Sequence, residues 1–228
     1  MSITYPIRTR SDRQGCIDDL LATWSVKDII ARGNPRGRPL SSTSMPTPTI
    51  RLLSPGDDAH LVPYLAAIHA ACIHHDKMVA TFLPPLDNNK LLAYWREMIR
   101  DVGAGTRLVV IQLDESEPGS VAKGAELKGV VMLRMPQTET FTHQGHLEKL
   151  MVSPSYRQRG AARAMIRFLE TEAVHRGRKL IMLSTEVGSP AETIYPKLGY
   201  AAYGRVPRCC IGPSGNMVDD VFFYKQLS

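Results

Sequence analysis

His146–Arg176 reads HLEKLMVSPSYRQRGAARAMIRFLETEAVHR, and this stretch decides the fold. Its first part, from Leu147 to Val152, is apolar and β-prone, and Ser153-Pro154-Ser155 then interrupts it. A basic segment ending at Gly160 follows and opens a long amphipathic pattern that is typical of a helix. The stretch therefore predicts a strand, a tight loop and a helix.

The loop has the features of a phosphate-binding site. The first turn of a helix leaves backbone N–H groups unpaired and carries positive partial charge. A bound phosphate accepts hydrogen bonds from those N–H groups and is attracted by that charge. Gly160 and the two following alanines keep that backbone bare, and three arginines add charge around it: Arg157, Arg159 and Arg163. Neither the dinucleotide motif G-x-G-x-x-G nor the P-loop motif is present. We interpret the loop as a pyrophosphate cradle, with an ordinary basic helix start as the alternative.

Length and composition suit one globular domain, since the chain has 228 residues, of which 43% are hydrophobic and 22% charged. No apolar run approaches membrane-spanning length, so we expect no membrane partner. The cysteines show no C-x-x-C spacing and no nearby histidine pair: Cys16, Cys72, Cys209 and Cys210. We therefore predict no metal site, no disulfide framework and a reducing, cytoplasmic compartment.

The net charge of +6 would permit a nucleic-acid partner, but the position of the charge argues against one. Residues 1–48 carry seven Lys or Arg against four Asp, which is +3 and half of the total. Ala31–Thr49 is rich in Gly, Pro, Ser and Thr, which predicts a linker. We predict a flexible basic extension over 1–48, weakly helical at Ile17–Ile30, before a domain at 49–228. A mitochondrial presequence is the alternative for the extension, although its aspartates are unusual for one.

Hydrophobic periodicity after the linker predicts elements in the order β-α-α-β-β-β-α-β-α-β-β. This order indicates an α/β fold, with a mixed central sheet of about seven strands and helices on both faces. The predicted helices are Ala59–His75, one capped by Asp87, one ended by Gly177, and a short one from Ser189 to about Leu198. The predicted strands are Thr49–Leu53, Arg107–Leu113, Leu127–Met135, His146–Val152, Lys179–Glu186, Ala201–Val206 and Val218–Leu227.

The loop resembles the R/Q-x-x-G-x-G/A motif of the GNAT superfamily of N-acetyltransferases, with Arg157, Gly160 and Ala162 in the motif positions. The predicted order of elements matches that superfamily. Within it, the sequence is most similar to the tabtoxin-resistance type, through KLMVSPSYRQRGAARAM, LSTEVGSPAETIYPKLGY and the ending from RVPRC to VFFYKQL. The resemblance implies an enzyme that moves the acetyl group of acetyl-CoA to a primary amine of a small molecule, such as a toxin or antibiotic, by direct attack in a ternary complex.

The same resemblance implies where acetyl-CoA binds. In the family the strand before the loop separates from its neighbour, and the pantetheine arm lies there like an added strand, bonded to the strand backbone. The loop amides hold the pyrophosphate. The implied cofactor-binding residues are Leu150, Met151, Val152, Arg157, Gln158, Arg159, Gly160, Ala161, Ala162, Ser189 and Glu192.

Three residues are candidates for the chemistry. The family's general-base carboxylate, where present, lies eleven residues before the motif, and His146 stands there in this sequence. Its usual pKa near 6.5 suits proton abstraction. Strand alternation puts Glu148 on the same face, where it either orients His146 or acts as the base; a surface position for both is the alternative. Tyr195 stands at the position of the family's acid, but Pro196 interrupts its helix, and core packing is the other interpretation.

Two further residues are assigned to the acceptor site by the resemblance. His75 matches a histidine between the first two helices, although a solvated helix end explains it as well. Ser184 stands where the tabtoxin-resistance type has an aspartate proposed for catalysis, so this part of the pattern differs. Acetylation of a protein lysine or N-terminus, and a catalytically silent acyl-CoA sensor, stay open as alternatives. The oligomeric state, monomer or homodimer, is open too.

Overall fold

One seven-stranded sheet organises the residues that the computed structural model describes, which are 47–76, 78, 81–115 and 122–228. The strand order is β1-β2-β3-β4-β5-β7-β6, and only β4 and β5 pair in parallel. The strands are β1 (Thr47–Leu52), β2 (Arg107–Glu115), β3 (Leu127–Arg134), β4 (Gln144–Val152), β5 (Leu180–Glu186), β6 (Ala201–Ile211) and β7 (Met217–Gln226). The predicted α/β fold is confirmed.

Helices cover the sheet on both faces and divide the core into two clusters. The helices are α1 (Val62–Asp76), α2 (Asn88–Gly103), α3 (Ala161–His175) and α4 (Pro190–Ile194). Leu65 of α1 and Trp95 of α2 pack with residues of β2, β3 and β4 on one face. Leu169 of α3 packs on the opposite face with residues of β2 to β5 and β7. Successive strand residues alternate between the clusters, since side chains alternate along a strand.

Most element boundaries lie within a few residues of the sequence prediction, and two of the differences occur at a proline. β6 continues to Ile211 rather than ending at Val206. This strand lies at the sheet edge and its pairing shifts between Val206 and Cys210, so Pro207 needs no ladder hydrogen bond there. The last helix ends at Ile194, and a 3-10 turn takes over from Pro196 because proline cannot donate the next helical bond.

The amino-terminal extension falls almost wholly outside the described residues. The predicted Ile17–Ile30 helix is among the residues that are not described, and β1 already begins at Thr47. In the part of the chain that the structure describes, no helix combines the length and apolarity needed to cross a bilayer.

Candidate active site

A gap between β4 and β5 is the main feature of the site. The two strands pair only at their first residues, where Gln144, Gly145 and His146 lie beside Leu180, Ile181 and Met182. β4 nevertheless continues to Val152 and β5 to Glu186. The strands therefore diverge beyond His146 and leave a V-shaped gap, along which the edge backbone of β4 is exposed.

A bulge in β4 decides which side chains face which side of the sheet. Met132 pairs with Glu148 but Val130 pairs with Met151, so β4 carries an extra residue, and Lys149 has a φ of +52°. Leu147 consequently packs in the α3 cluster, whereas Met151 packs in the cluster of α1 and α2. His146 and Glu148, which alternate with Leu147, share the α1 and α2 side.

His146 lies at the narrow end of the gap with a half-buried side chain. Burial disfavours the imidazolium, and the positive charge of Arg134 acts in the same direction, so the pKa of His146 is below 6.5 despite the opposing charge of Glu148. The ring is therefore neutral at neutral pH. A neutral imidazole can accept a proton, as a general base must.

Glu148 is held by two arginines that the sequence analysis did not single out. Its Oε2 accepts a hydrogen bond of 2.7 Å from Arg107, and its Oε1 accepts one of 3.1 Å from Arg134. Burial alone would raise the pKa of Glu148, but the Arg107 and Arg134 guanidinium groups outweigh burial and lower it. A carboxylate with a lowered pKa, bonded at both oxygens, is a weak base. This geometry favours His146 as the proton acceptor.

The loop after β4 presents a helix N-terminus with an open space before it. Gly160 is the N-cap residue of α3 and has a φ of +78°, and the first helical bond runs from the Ala164 N–H to the Gly160 carbonyl at 3.0 Å. The amides of Ala161, Ala162 and Arg163 thus have no partner within the helix. A Cβ on Gly160 would meet no atom within 4 Å. The left-handed φ therefore requires glycine here, while the space itself stays open to an anion.

Arg157, the first residue of the loop motif, ties the loop to its surroundings. Its guanidinium binds both carboxylate oxygens of Asp76 at the end of α1, and its Nε donates to the Val152 carbonyl at 3.3 Å. Arg159 lies 4.8 Å from the centre of the Tyr156 ring. Arg157 therefore positions the loop between α1 and β4, and its predicted contact with the cofactor stays a prediction.

Tyr195 is buried on the α3 side of the sheet, with its ring 5.6 Å from Tyr200 and 5.7 Å from Phe223. Burial raises its pKa, so the phenol stays protonated, as a proton donor must be. The predicted capping box just before it forms in a modified way, since the Glu192 carboxylate bonds the residue before the N-cap Ser189. Ser189 accepts from the Glu192 N–H at 3.4 Å, and Glu192 reaches back to the Gly188 N–H at 2.6 Å.

The two predicted acceptor-site residues lie apart in the chain and in the fold. Ser184 of β5 donates a 3.0 Å hydrogen bond to Oδ2 of Asp220, a buried β7 residue that sequence reasoning missed. Glu186 pairs with Asp220 across the sheet, and its pKa is raised by burial and then by that neighbouring carboxylate. His75 is exposed in the last turn of α1.

Arg178 is a further positioning residue for which the sequence carries no signal. Its side chain is buried, and its Nη1 donates to the Pro136 carbonyl at 2.8 Å, to the Gln144 carbonyl at 3.4 Å and to the Thr142 carbonyl. These bonds hold the segment that leads into β4. They thereby fix the start of the strand two residues before His146.

Comparisons with known proteins agree with this geometry. The family model described as "Acetyltransferase (GNAT) family" matches residues 84–200, which include β4, the gap and the phosphate loop. The Salmonella typhimurium protein yncA, solved with its cofactor acetyl-CoA, has a TM-score of 0.59 at 20% identity over 80% of this chain and 95% of its own.

Two further solved structures show the same fold. A ribosomal-protein-alanine N-acetyltransferase from Brucella melitensis has a TM-score of 0.58 at 20% identity, over 78% of this chain and 99% of its own. An N-acetyltransferase from Staphylococcus aureus Mu50 has a TM-score of 0.61 at 14% identity, over 80% and 99%. At these identities the likeness is one of fold.

Proposed function

Because this chain belongs to the acetyltransferase (GNAT) family, we propose that it transfers the acetyl group of acetyl-CoA to a primary amine of a small molecule, by direct attack in a ternary complex. The observation that carries the proposal is the gap between β4 and β5, with His146 at its narrow end and the phosphate loop just beyond β4. Such a gap accepts an extended thioester arm and places its reactive end beside a base.

Acetyl-CoA is the cosubstrate that this geometry supports, and yncA, which shares the fold, was solved with it. The edge backbone of Leu150, Met151 and Val152 would bond the pantetheine amides as a neighbouring strand would. The unpaired amides after Gly160 would hold the pyrophosphate, because they combine free donors with the positive end of the α3 dipole.

The chemistry uses a base for the amine proton and an acid for the leaving thiolate. The thioester supplies an activated acyl group, which the amine nitrogen attacks. His146 removes a proton from that nitrogen, and the amide bond forms as the carbon–sulfur bond breaks. Tyr195 donates its phenolic proton to the leaving thiolate, which leaves as free CoA thiol. Protonated Tyr195 and neutral His146 are the forms that these two roles require.

The acceptor would lie on the side of the sheet that His146 faces, where β5, β7 and β6 extend beyond α1 and α2. Antiparallel partners share a face, so Ser184 and Phe222 lie on the same side, as do Glu186 and Asp220. The rings of Tyr203 and Phe222 are in tilted contact, with their centres 6.0 Å apart. Aromatic rings and a carboxylate suit a compact organic cation, which supports a small amine, including the detoxification role of the tabtoxin-resistance type.

A peptide acceptor is the second candidate, and the exposure of this same face favours it. Tyr203 is 53% exposed, Val206 44% and Tyr224 38%, so this face offers accessible apolar surface on two neighbouring strands to an extended chain. Acetylation of a protein lysine or N-terminus would then replace acetylation of a free amine.

The test is mass spectrometry of products after incubation with acetyl-CoA, with a panel of free amines beside peptides that end in alanine or contain lysine. We expect acetylated free amines. Their rate of formation should exceed the hydrolysis of acetyl-CoA and should fall by about 10²–10⁴-fold in His146→Ala. Acetylated peptides alone would replace the proposal with the second candidate. Tight acetyl-CoA binding without any acetylated product would indicate a silent acyl-CoA sensor.

A further inference from the structure

Three metal-ligating side chains converge at the end of the β6–β7 hairpin, away from the proposed reacting atoms. One ligand atom each of Cys209, Cys210 and Asp220 lies within 4.8 Å of the other two. Cys209 is exposed, Cys210 is half-buried and Asp220 is 6% exposed, so the cluster opens to solvent at one end. Sequence spacing predicted no metal site because the two cysteines are adjacent rather than arranged as C-x-x-C.

The bulge in β6 is what allows two adjacent cysteines to point at one spot. In a regular strand neighbouring side chains point to opposite faces, so a Cys-Cys pair could not share a ligand. The pairing with β7 shifts between Val206 and Cys210, and Arg208 has a φ of +54°. The Arg208 N–H donates to Asp219 Oδ1 at 2.8 Å, which holds the bulge in place. The strand is therefore distorted where the two thiols meet Asp220.

The spacing of the donors matches a tetrahedral site. Zinc binds thiolate at about 2.3 Å and carboxylate oxygen at about 2.0–2.2 Å, so sulfur and oxygen on one tetrahedral zinc lie roughly 3.5 Å apart. Cys210 Sγ and Asp220 Oδ2 are 3.6 Å apart. Zinc would therefore enter between these two atoms with little movement of either side chain.

Asp220 also has an unused ligand atom. Its Oδ2 accepts from Ser184 and Cys210, yet no partner for the buried Oδ1 exists among the residues that the structure describes. A buried carboxylate oxygen without a partner costs free energy. Glu186 also pairs with Asp220 across the sheet, which brings two carboxylates together. A bound divalent cation would give the Oδ1 atom a partner and offset the charge of the two carboxylates.

We propose that Cys209, Cys210 and Asp220 form a zinc site with one position left for water. Two sulfurs select a thiophilic ion, and the carboxylate favours a divalent one. Both thiols release their protons to solvent on binding, so the site has two thiolates, one carboxylate and one Zn²⁺. The ion would link β6 to β7 where their hydrogen-bond ladder is interrupted. Because the ion would offset the charge of Asp220, Glu186 would be the carboxylate that stays without a bound cation on the proposed acceptor face.

The experiment is a titration of the full chain, reduced and freed of metal, with Zn²⁺ against a competing zinc dye. A parallel titration with Co²⁺ reads the thiolate-to-cobalt absorption. We expect one equivalent of either ion. Cys209→Ser, Cys210→Ser and Asp220→Asn should each weaken binding by more than about 100-fold, since even the loss of a supporting partner costs about 10–100-fold. Cys209 is exposed, so its variant should fold even if the others do not.

Two controls match these changes. Asp219→Asn alters the neighbouring, exposed aspartate and keeps an oxygen for the Arg208 N–H, and Cys72→Ser changes the thiol that is buried in α1. Both should bind as the parent chain does. Absence of saturable binding while both thiols are reduced overturns the proposal, and so does binding that survives in Cys209→Ser. The readout does not involve acetyl transfer, so its failure would leave the proposed function standing.

Discussion

At the scale of single residues, His146 and Glu148 lie two positions apart on one face of β4, yet they have different roles. His146 is neutral because burial and Arg134 lower its pKa, whereas Glu148 is ionised because two guanidinium groups outweigh its burial. The neutral ring can take a proton from an amine. The carboxylate is engaged with Arg107 and Arg134 and stabilises the strand.

The first prediction concerns the base. His146→Ala should lower kcat/KM for the amine by about 10²–10⁴-fold and leave acetyl-CoA affinity nearly unchanged, because the ring acts on the amine proton. The pKa of His146 lies below 6.5, so activity should persist at pH 6.5 and fall only as the pH drops through that lowered pKa. The measurement is kcat/KM against pH for two amines of different pKa. An acid limb that moves with the amine, or near-normal His146→Ala activity beside inactive Glu148→Gln, would refute this assignment.

The second prediction concerns Glu148→Gln, which should chiefly reduce stability. After this change the buried guanidinium of Arg107 has Asp101 as its only carboxylate partner among the described residues. Glu148 is partly exposed, which limits the loss in the free energy of unfolding to about 1–2 kcal/mol. The folded-state pKa of Glu148 lies below 4.5, so its contribution is present above pH 4.5 and disappears as the pH falls through that lowered pKa. Urea unfolding at several pH values measures this. The control variant Glu97→Gln changes an exposed carboxylate and should have the same free energy of unfolding as the parent chain. If the stability difference between Glu148→Gln and the parent chain grows on acidification, the prediction is wrong.

At the scale of elements, the strand, loop and helix from β4 to α3 form the proposed binding unit for acetyl-CoA. The bulge sets the orientation of the β4 side chains, Gly160 turns the chain into α3, and Arg157 fastens the loop to Asp76 on α1. Each part is defined by backbone geometry more than by side-chain chemistry. A change at the loop should therefore affect the cofactor before it affects the fold.

The third prediction compares the glycines that flank α3, Gly160 before it and Gly177 after it. Gly160→Glu should weaken acetyl-CoA binding by a few kcal/mol, because the side chain and its charge would enter the pyrophosphate space, where paired charge-assisted bonds contribute about 1.5–3 kcal/mol each. Gly177→Glu is the control, since Gly177 also has a left-handed φ, +71°, and open space around it. Calorimetry should find reduced affinity only in Gly160→Glu. Unchanged affinity in a folded Gly160→Glu protein would disprove the cradle.

At the scale of the whole molecule, the sheet is covered unequally. α1 and α2 pack on β2, β3 and β4, and α3 covers the other face, whereas β6 is exposed along nearly its whole length. β1 closes the opposite edge by pairing with β2 from Thr47 to Leu52. The acceptor side is thus open at the β6 edge, and the amino-terminal edge is part of the folded sheet.

The fourth prediction concerns the extension. A chain that begins at Met45 keeps all of β1 and should bind acetyl-CoA. Its melting temperature should differ from that of the full chain by less than roughly 2–4 °C, which is the shift that 1 kcal/mol produces in a protein of this size. A chain that begins at Leu53 loses β1 and should be strongly destabilised, because the β2 edge loses its hydrogen-bond partner and the core cluster under α3 loses the packing of Ile50 and Leu52. Calorimetric melting distinguishes the two. A large drop for the Met45 chain would show that the extension contributes to the core.

The amino-acid sequence by itself determined the order of elements, the glycine-containing loop after β4 and the two ends of α3. These features depend on short-range rules: apolar periodicity, a capping box from Ser189 to Glu192, and glycines at the left-handed positions 160 and 177. Each rule involves residues within one or two turns of each other. Local pattern is sufficient for such features because their physical causes are local.

Only the tertiary structure decided the partners of those residues. Glu148 binds Arg107, 41 positions away, and Arg157 binds Asp76, 81 positions away, so neither pair follows from spacing. Cys210 meets Asp220 through a shift in strand register. A single extra residue in a strand reverses which side chains share a face, and only the pairing of whole strands fixes where that residue lies.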